Sequence, residues 1–162
     1  MRLHEVDCFK ADNMPTSKID EFERQLKGQE NGLNRLTADE YLKNVANPIA
    51  RDPAVAKLAR TDLHAQLQSR YYNELLQTMD ALDAEEVAFV KAKETMASLA
   101  GLHNPDLSAG GNDFIDDFGD RQVNSSIGAQ WRSRIKSLKN ATEAIPLEMR
   151  GKVYLNVRLH KC

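Results

Sequence analysis

His103 and Asp106, a histidine and an aspartate three residues apart, form the most informative feature of this sequence of 162 residues. An imidazole takes up and releases a proton near neutral pH, and a carboxylate holds a hard cation or orients the imidazole. Pro105 and the Gly110–Gly111 pair predict that this segment lies outside a regular helix. Active sites often stand on loops that rigid elements brace. The sequence therefore predicts a reactive loop at residues 102–111.

The spacing is a weak signal when it is taken alone, because His-x-x-Asp arises by chance in many proteins. In the structural alternative, Asp106 or Asn104 caps a turn and His103 is an ordinary surface side chain. Gly101 is a typical residue just after a helix end. We therefore expect His103, two positions further on, to be exposed and well anchored.

The charges are distributed unevenly, although the formal net charge is only −2. Residues 1–101 carry 13 basic and 17 acidic side chains, residues 102–120 carry five aspartates and no basic side chain, and residues 121–162 carry nine basic and two acidic ones. A carboxylate cluster suits a hard divalent cation, and a basic flank suits phosphate. A solvated acidic loop followed by an ordinary basic helix explains the same pattern.

Asp113, Asp116, Asp117 and Asp120 are further candidate metal ligands; a solvated edge is the preferred interpretation of Asp116 and Asp117, and Asp120 is the strongest candidate. It lies between Gly119 and Arg121, in a setting that suits a functional turn. Asp113 and Asp117 share a face only if their segment is helical.

The basic third of the chain supplies candidates for contact with the phosphates of a nucleic acid. Small polar residues from Asn124 to Gly128 predict a helix start whose backbone N–H groups are able to hold a phosphate. The sequence has no phosphate-binding glycine loop and no dinucleotide fingerprint, so we expect no nucleotide cofactor. The basic side chains singled out are Arg121, Arg132, Arg134 and Lys136.

The cysteines do not indicate a disulfide framework, and the apolar segments do not indicate a membrane-spanning helix. Cys8 and Cys162 match no zinc or disulfide spacing, so we expect one part-buried thiol and one terminal thiol. No apolar run approaches the ~20 residues of a membrane helix, and the first ten residues lack the apolar stretch of a secretory signal. We expect no membrane partner, and export would depend on a segment outside these residues.

Capping residues and apolar spacing predict a mainly α fold in one domain, residues 1–162. A short helical turn is expected at residues 114–119, and the alternation in residues 152–160 predicts a short β element near the C-terminus, whose partner strand we cannot place. The predicted helices run from Thr16 or Ser17 toward Gly28, from Thr37 onward, from Asp52–Pro53 to about Leu82, from Asp83 to Gly101, and from Asn124 or Ser125 through Leu138.

These motifs together resemble the bacterial polymorphic toxin type 15 domain, a family with a His-x-x-Asp signature. The similarity covers nearly the whole chain and is much more specific than the four-residue motif. It is carried by Val6–Phe9, Glu21–Glu30, His103–Asp106, Ala109–Gly111, Gly119–Arg121, Asn124–Gly128 and Gln130–Trp131.

The resemblance implies a helical toxin domain that forms the C-terminal module of a larger secreted effector. Such effectors are delivered by type VI or similar contact-dependent secretion and act in the cytoplasm of a recipient bacterium. Members of the family are metal-dependent DNases, and a cognate immunity protein blocks them in the producing cell. The signature residues in this sequence are His103 and Asp106.

Hydrolysis of a phosphodiester requires charge neutralisation, a nucleophile and stabilisation of the leaving oxygen. We expect Asp106 to bind a divalent ion, with magnesium as the first choice, and His103 to act as general base on water. Alternatively His103 ligates the metal itself, which suits manganese, zinc or nickel better. Asp120 is the additional ligand in this scheme.

Two other functions are consistent with the same residues. The first is a toxin that cleaves RNA in place of DNA. The second is a helical interaction module without chemistry, for which the amphipathic helices of residues 1–101 would serve equally well.

Overall fold

The computed structural model describes every residue, Met1–Cys162, and confirms a mainly helical fold. Four short strands form two separate two-stranded sheets. None of the six helices combines the length and the apolar character that a membrane span requires. The helices are α1 (Ile19–Leu33), α2 (Ala38–Ala46), α3 (Pro53–Leu75), α4 (Ala81–Ala97), α5 (Arg121–Trp131) and α6 (Ile135–Glu143), and the strands are β1 (His4–Glu5), β2 (Leu99–Leu102), β3 (Asp117–Asp120) and β4 (Val157–Arg158).

Local capping places the starts of α2 and α3 where the sequence predicts them. Thr37 Oγ1 accepts a hydrogen bond from the Glu40 N–H at 3.2 Å, and Glu40 Oε2 accepts one from the Thr37 N–H at 2.9 Å. Asp52 Oδ1 accepts from the Ala54 N–H at 2.9 Å, directly before Pro53 at the first helical position. These oxygens satisfy N–H groups that a helix leaves unpaired, which fixes both starts.

The two longest helices, α3 and α4, pack along each other as an antiparallel pair that we call the arm. The predicted boundary between them is wrong, because α3 ends at Leu75 rather than near Leu82. Asp80 caps α4 by accepting from the Asp83 N–H at 2.9 Å, so this helix begins earlier than expected. The arm has a small buried cluster of its own, made of Leu67, Ala92 and Met96.

The remaining elements, which we call the body, share a larger hydrophobic core. Trp131 on α5 is fully buried and meets the Phe9 ring edge to face, with the ring centroids 5.2 Å apart. Because α1 and α5 both contribute side chains, close packing holds the two helices in a rigid frame. The other large members of this core include Phe22, Leu26, Leu33, Tyr41, Val123, Ile127, Leu138, Leu155, Val157 and Leu159.

The C-terminal alternation forms a strand, and its partner lies at the other end of the chain. β4 pairs in parallel with β1, so that Val157 stands opposite His4. Cys8 and Cys162 form a disulfide beside this pairing, and the expectation of two separate thiols is therefore wrong. Spacing rules recognise local cysteine patterns, whereas folding here joins residues 154 positions apart.

Residues 99–120 contain a second small sheet where helix is predicted. β2 and β3 pair antiparallel over their whole length. The prediction that α4 continues to Gly101 is wrong, and so is the predicted helical turn at residues 114–119. A few apolar residues at helical spacing do not suffice to predict a helix in these segments, because the pairing of β2 with β3 determines their conformation.

The helix predicted from Asn124 or Ser125 through Leu138 is divided in two. α5 begins at Arg121 because Asp120 caps it, and α6 follows a break at residues 132–134. The N–H groups from Asn124 onward belong to the interior of α5 and are used by its own ladder. The expected phosphate-binding helix start at that point is therefore wrong.

Candidate functional site

The His–Asp loop (residues 102–111) lies between α1 and α5. On the α1 side it crosses Gly32, where a Cβ atom would stand 2.1 Å from the carbonyl oxygen of Asn104. On the α5 side the Asp106 carboxylate faces Gly128, where a Cβ atom would stand 3.1 Å from Oδ2. Glycine at these two points lets the loop approach both helices closely.

Two buried amides tie the loop to its surroundings. Asn44 Nδ2 on α2 donates to the carbonyl oxygen of Gly110 at 3.0 Å, where the loop takes a φ of +94°. Gln29 Oε1 on α1 accepts from Trp131 Nε1 at 2.6 Å and from the Asp106 N–H at 3.4 Å. The loop is thereby connected to the packed centre of the body.

His103 is buried, with only 6 % of its surface exposed, so the expectation of an exposed side chain is wrong. Its Nε2 lies 2.8 Å from Asp113 Oδ1, and the other oxygen of Asp113 accepts from the Asp52 N–H at 2.6 Å. His103 directly follows β2, and Asp113 lies in the segment between the His–Asp loop and β3. The Asp52 N–H and the His103 ring hold the pKa of Asp113 below its usual range, so the histidine has an ionised partner.

Asp106 occupies a different setting three residues along. Burial raises the pKa of its carboxyl to about 6, although the nearby Gln29 amide and the Arg51 guanidinium work in the opposite direction. Arg51 is exposed and also lowers the pKa of Asp113. One cation therefore acts on both carboxylates.

The two signature side chains keep separate partners in this structure. His103 pairs with Asp113, whereas Asp106 packs against Gln29 and Gly128. Arg51 links the two settings, because its charge lowers the pKa of both Asp106 and Asp113, the partner of His103.

The structure does not bring Asp120 to the other two predicted ligands. Asp120 Oδ1 accepts from the Val123 N–H at 3.0 Å, and Oδ2 pairs with Lys18 Nζ at 2.9 Å. Burial opposes ionisation, but these two partners hold the pKa of Asp120 below its usual range. Eight residues of helix, about 12 Å, separate it from Gly128, where Asp106 packs.

The predicted set of three metal ligands is therefore not assembled. No group of three or more His, Cys, Asp or Glu side chains is arranged to hold a metal ion. His103 has one nitrogen engaged by Asp113, as metal-ligating histidines commonly do, and this contact leaves its other ring nitrogen free of Asp113. Asp106 retains the character of a ligand, because its half-buried carboxylate forms no direct ion pair and the exposed Arg51 only partly opposes the rise in its pKa.

The four basic candidates have different surroundings. Arg134 donates to the carbonyl oxygens of Asp7 and Gln130, and its guanidinium lies 4.6 Å from the centre of the Phe9 ring. It therefore fastens the N-terminal segment to the body. Arg121 donates to the Leu99 carbonyl oxygen at 3.1 Å while remaining exposed. The last two, Arg132 and Lys136, are also exposed.

Sequence reasoning missed the two residues that shape this site most, Asp113 as the partner of His103 and Arg51 as the nearby cation. The sequence offers Asp113 only as a metal-ligand candidate, and nothing in its spacing identifies it as the partner of His103; it lies outside any helix or strand. Asp52, which anchors Asp113, was recognised as a helix cap. The adjacent Arg51 carried no recognisable signal.

No curated protein matches this chain. A family model described as Novel toxin 15 matches residues 16–160, a span that includes the His–Asp loop, its supporting helices α1 and α5, and β4. The match confirms the resemblance drawn from the motifs. The chain belongs to the Novel toxin 15 family.

Proposed function

We propose that this toxin domain is a nuclease that hydrolyses phosphodiester bonds of DNA, with His103 and Asp106 as its catalytic residues. The observation that carries the proposal is the hydrogen bond between His103 and Asp113 at 2.8 Å, three residues along the chain from a half-buried Asp106. An imidazole oriented by a carboxylate is a common general base in hydrolysis. The choice of DNA comes from the family resemblance.

The pairing decides which nitrogen of His103 does the chemistry. An ionised Asp113 only accepts hydrogen bonds, so Nε2 carries the proton and Nδ1 keeps the lone pair. Nδ1 is then the atom that takes a proton from the attacking water. Low exposure strengthens this pairing, because little bulk water surrounds it.

Arg51 is the residue that we assign to the phosphate. A guanidinium offers a planar set of donors that matches two phosphate oxygens. Its charge lowers the pKa of both Asp106 and Asp113, and its side chain remains exposed. It therefore offsets their charge and leaves an anionic strand able to approach.

We retain a divalent ion in the proposal, with Asp106 as its protein ligand. Magnesium sites on nucleic-acid enzymes often use one or two carboxylates together with phosphate oxygens and water, so a dedicated cage is not required. The ion would supply charge neutralisation at the phosphate. This arrangement favours magnesium or manganese over zinc or nickel.

Plasmid cleavage by the purified domain tests the proposal. We expect His103→Gln and Asp106→Asn to lose cleavage by about a thousandfold or more while the helical circular dichroism stays intact. His64→Gln is the matched control, because His64 lies on the arm and contacts Phe89. Retained nicking by both loop variants would overturn the assignment, and loss of activity in all three would indicate a general defect.

Substrate identity requires a direct comparison of polymers. We expect cleavage of DNA and little cleavage of RNA under the same conditions. The opposite result would support an RNase toxin. An absence of cleavage with either polymer would favour an interaction module without chemistry. The observation that supports this alternative is an exposed apolar surface on the arm, formed by Leu82, Phe89 and Val90.

The biological setting belongs to the same proposal. As a secreted toxin domain, this chain would act in the recipient cytoplasm after type VI or similar delivery, and an immunity protein would block it in the producer. Expression in bacteria should cause loss of DNA staining, and co-expression of a neighbouring open reading frame should restore it. Survival without any immunity gene would contradict this setting.

A further inference from the structure

A groove of about 390 Å³ borders the His–Asp loop on the α1 side. Its volume falls in the range of small-ligand sites. It shares Asn104 and Pro105 with that loop, and its other wall contains Asn112 and Phe114, the neighbours of Asp113. We call it the Phe114 groove.

The charges in the Phe114 groove do not suit a phosphate. Arg35 is the single cation in its lining, which also contains two carboxylates, those of Glu40 and Asp116. Asp116 Oδ2 lies 3.7 Å from the Arg35 guanidinium, and Glu40 Oε2 accepts from the Thr37 N–H. The resulting negative balance favours a neutral, polar occupant.

Two amides in the Phe114 groove are held in defined orientations. Asn112 Oδ1 accepts from Asn44 Nδ2 at 3.1 Å, so its own NH₂ group remains available as a donor. Asn104 Nδ2 donates to Asp116 Oδ2 at 3.0 Å, so its Oδ1 remains available as an acceptor. A donor and an acceptor on fixed amides match the edge of a nucleobase.

Phe114 adds an aromatic face to these polar groups. Its side chain is 64 % exposed, although it stands beside a groove rather than on an open helix surface. Aromatic rings at such positions stack on the faces of unpaired bases.

We propose that the Phe114 groove, which shares Asn104 and Pro105 with the His–Asp loop, is a subsite for one unpaired nucleobase of the substrate strand. Phe114 stacks on the base, while Asn104 and Asn112 contact its edge. The inference rests on the proposed nuclease function and narrows its substrate class. Within a duplex both faces of a base are covered, so the substrate must be single-stranded, frayed or locally opened there.

Binding of a short single-stranded DNA that carries one 2-aminopurine tests the subsite, because the fluorescence of this base falls when it stacks on an aromatic ring. The DNA must stay intact during the measurement, so the Phe114 variants are made in the His103→Gln chain, which is not expected to cleave. A second series uses the wild-type background with a phosphorothioate strand that resists cleavage. We expect Phe114→Ala to weaken binding about tenfold or more and to abolish the quenching, while Phe114→Tyr retains both. Phe89→Ala on the arm is the matched control, since Phe89 is 50 % exposed, and it should bind as the parent does.

Binding and cleavage together separate the two proposals. Equal binding by the parent and Phe114→Ala would overturn the subsite, and so would equal quenching with paired and unpaired 2-aminopurine. A chain that binds single strands through Phe114 but cleaves no polymer would retain the subsite and overturn the nuclease. A chain that binds no nucleic acid would overturn both.

Discussion

The body and the arm are both helical, but they bury very different amounts of their surface. The body surrounds Trp131 and Phe9 with a core of 15 buried residues, whereas the arm has a buried cluster of three. Leu82 is 80 % exposed and Leu58 is 66 % exposed, and both belong to the arm. The candidate chemistry stands on the body, where α1 and α5 hold the His–Asp loop from two sides. The difference indicates that a reactive loop requires closely packed elements that hold it in place, and that helix content alone does not provide them.

The largest effect that we expect is a loss of activity on substitution of Asp113, the carboxylate that orients the imidazole of His103. Asp113→Asn replaces an acceptor by an amide that is able to donate, which selects the wrong tautomer of His103. We expect plasmid cleavage to fall by about 10³- to 10⁴-fold, with little change in circular dichroism. The arm variant Glu85→Gln is the control, and a comparable loss there would break the distinction between body and arm.

The next effect is on stability and compares two leucines directly. Leu33→Ala removes a fully buried side chain from the body, whereas Leu82→Ala removes an exposed one from the arm. We expect the free energy of unfolding to fall by about 2 to 5 kcal/mol in the first case and by about 0.5 kcal/mol or less in the second. Urea denaturation measures both values, and similar losses would show that the arm is as tightly packed as the body.

Gly32→Ala tests the close approach of the loop to α1. Alanine favours a helix over glycine by about 1 kcal/mol, but its Cβ would stand 2.1 Å from the Asn104 carbonyl oxygen. We expect the clash to prevail, so that the melting temperature falls and cleavage is lost. At Gly151→Ala the nearest atom is 3.3 Å away, and this variant should stay close to wild type. An active, stabilised Gly32→Ala protein would contradict the close packing.

Magnesium gives a smaller effect that needs no substrate. Binding to the folded state raises the melting temperature by a few degrees when the ion is about tenfold above its dissociation constant. We expect this rise in wild type, in Asp120→Asn and in the arm variant Glu85→Gln, and we expect it to be absent in Asp106→Asn. A response that persists in Asp106→Asn would overturn Asp106 as the ligand, and one that disappears in Asp120→Asn would return Asp120 to the ligand set.

The smallest effect concerns acid stability. Burial opposes ionisation of Glu21, but contacts from Arg24, Gln25 and the Asp120 N–H prevail and lower its pKa from 4.5 to about 2. Its ionised form therefore stabilises the fold above about pH 4.5, and this contribution is lost as the pH falls toward 2. Glu21→Gln should flatten the decline in melting temperature over that range, whereas the exposed arm residue Glu86→Gln should leave it unchanged.

The sequence predicted what local interactions decide and missed what distant contacts decide. The caps at Thr37 and Asp52 act within three residues, so their side chains could be identified directly. The pairing of β1 with β4 joins the two ends of the chain, and neither segment carries information about the other.

The candidate site shows the same division. His103 and Asp106 were found because they form a motif within four residues. The contact of His103 with Asp113 depends on the path of the chain through residues 104–112, and Arg51 reaches the site from the start of α3. Periodicity describes single elements, whereas these contacts depend on how separate segments pack.

The N-terminal segment is fastened twice, once by the Cys8–Cys162 disulfide and once by Arg134. The guanidinium donates to the carbonyl oxygens of Asp7 and Cys8 and covers the ring of Phe9. Reducing compartments open disulfides, but they leave a cation and its hydrogen bonds untouched. A toxin domain that passes between oxidising and reducing surroundings would therefore keep this end of the chain in place through its arginine, whichever redox state the sulfur atoms adopt.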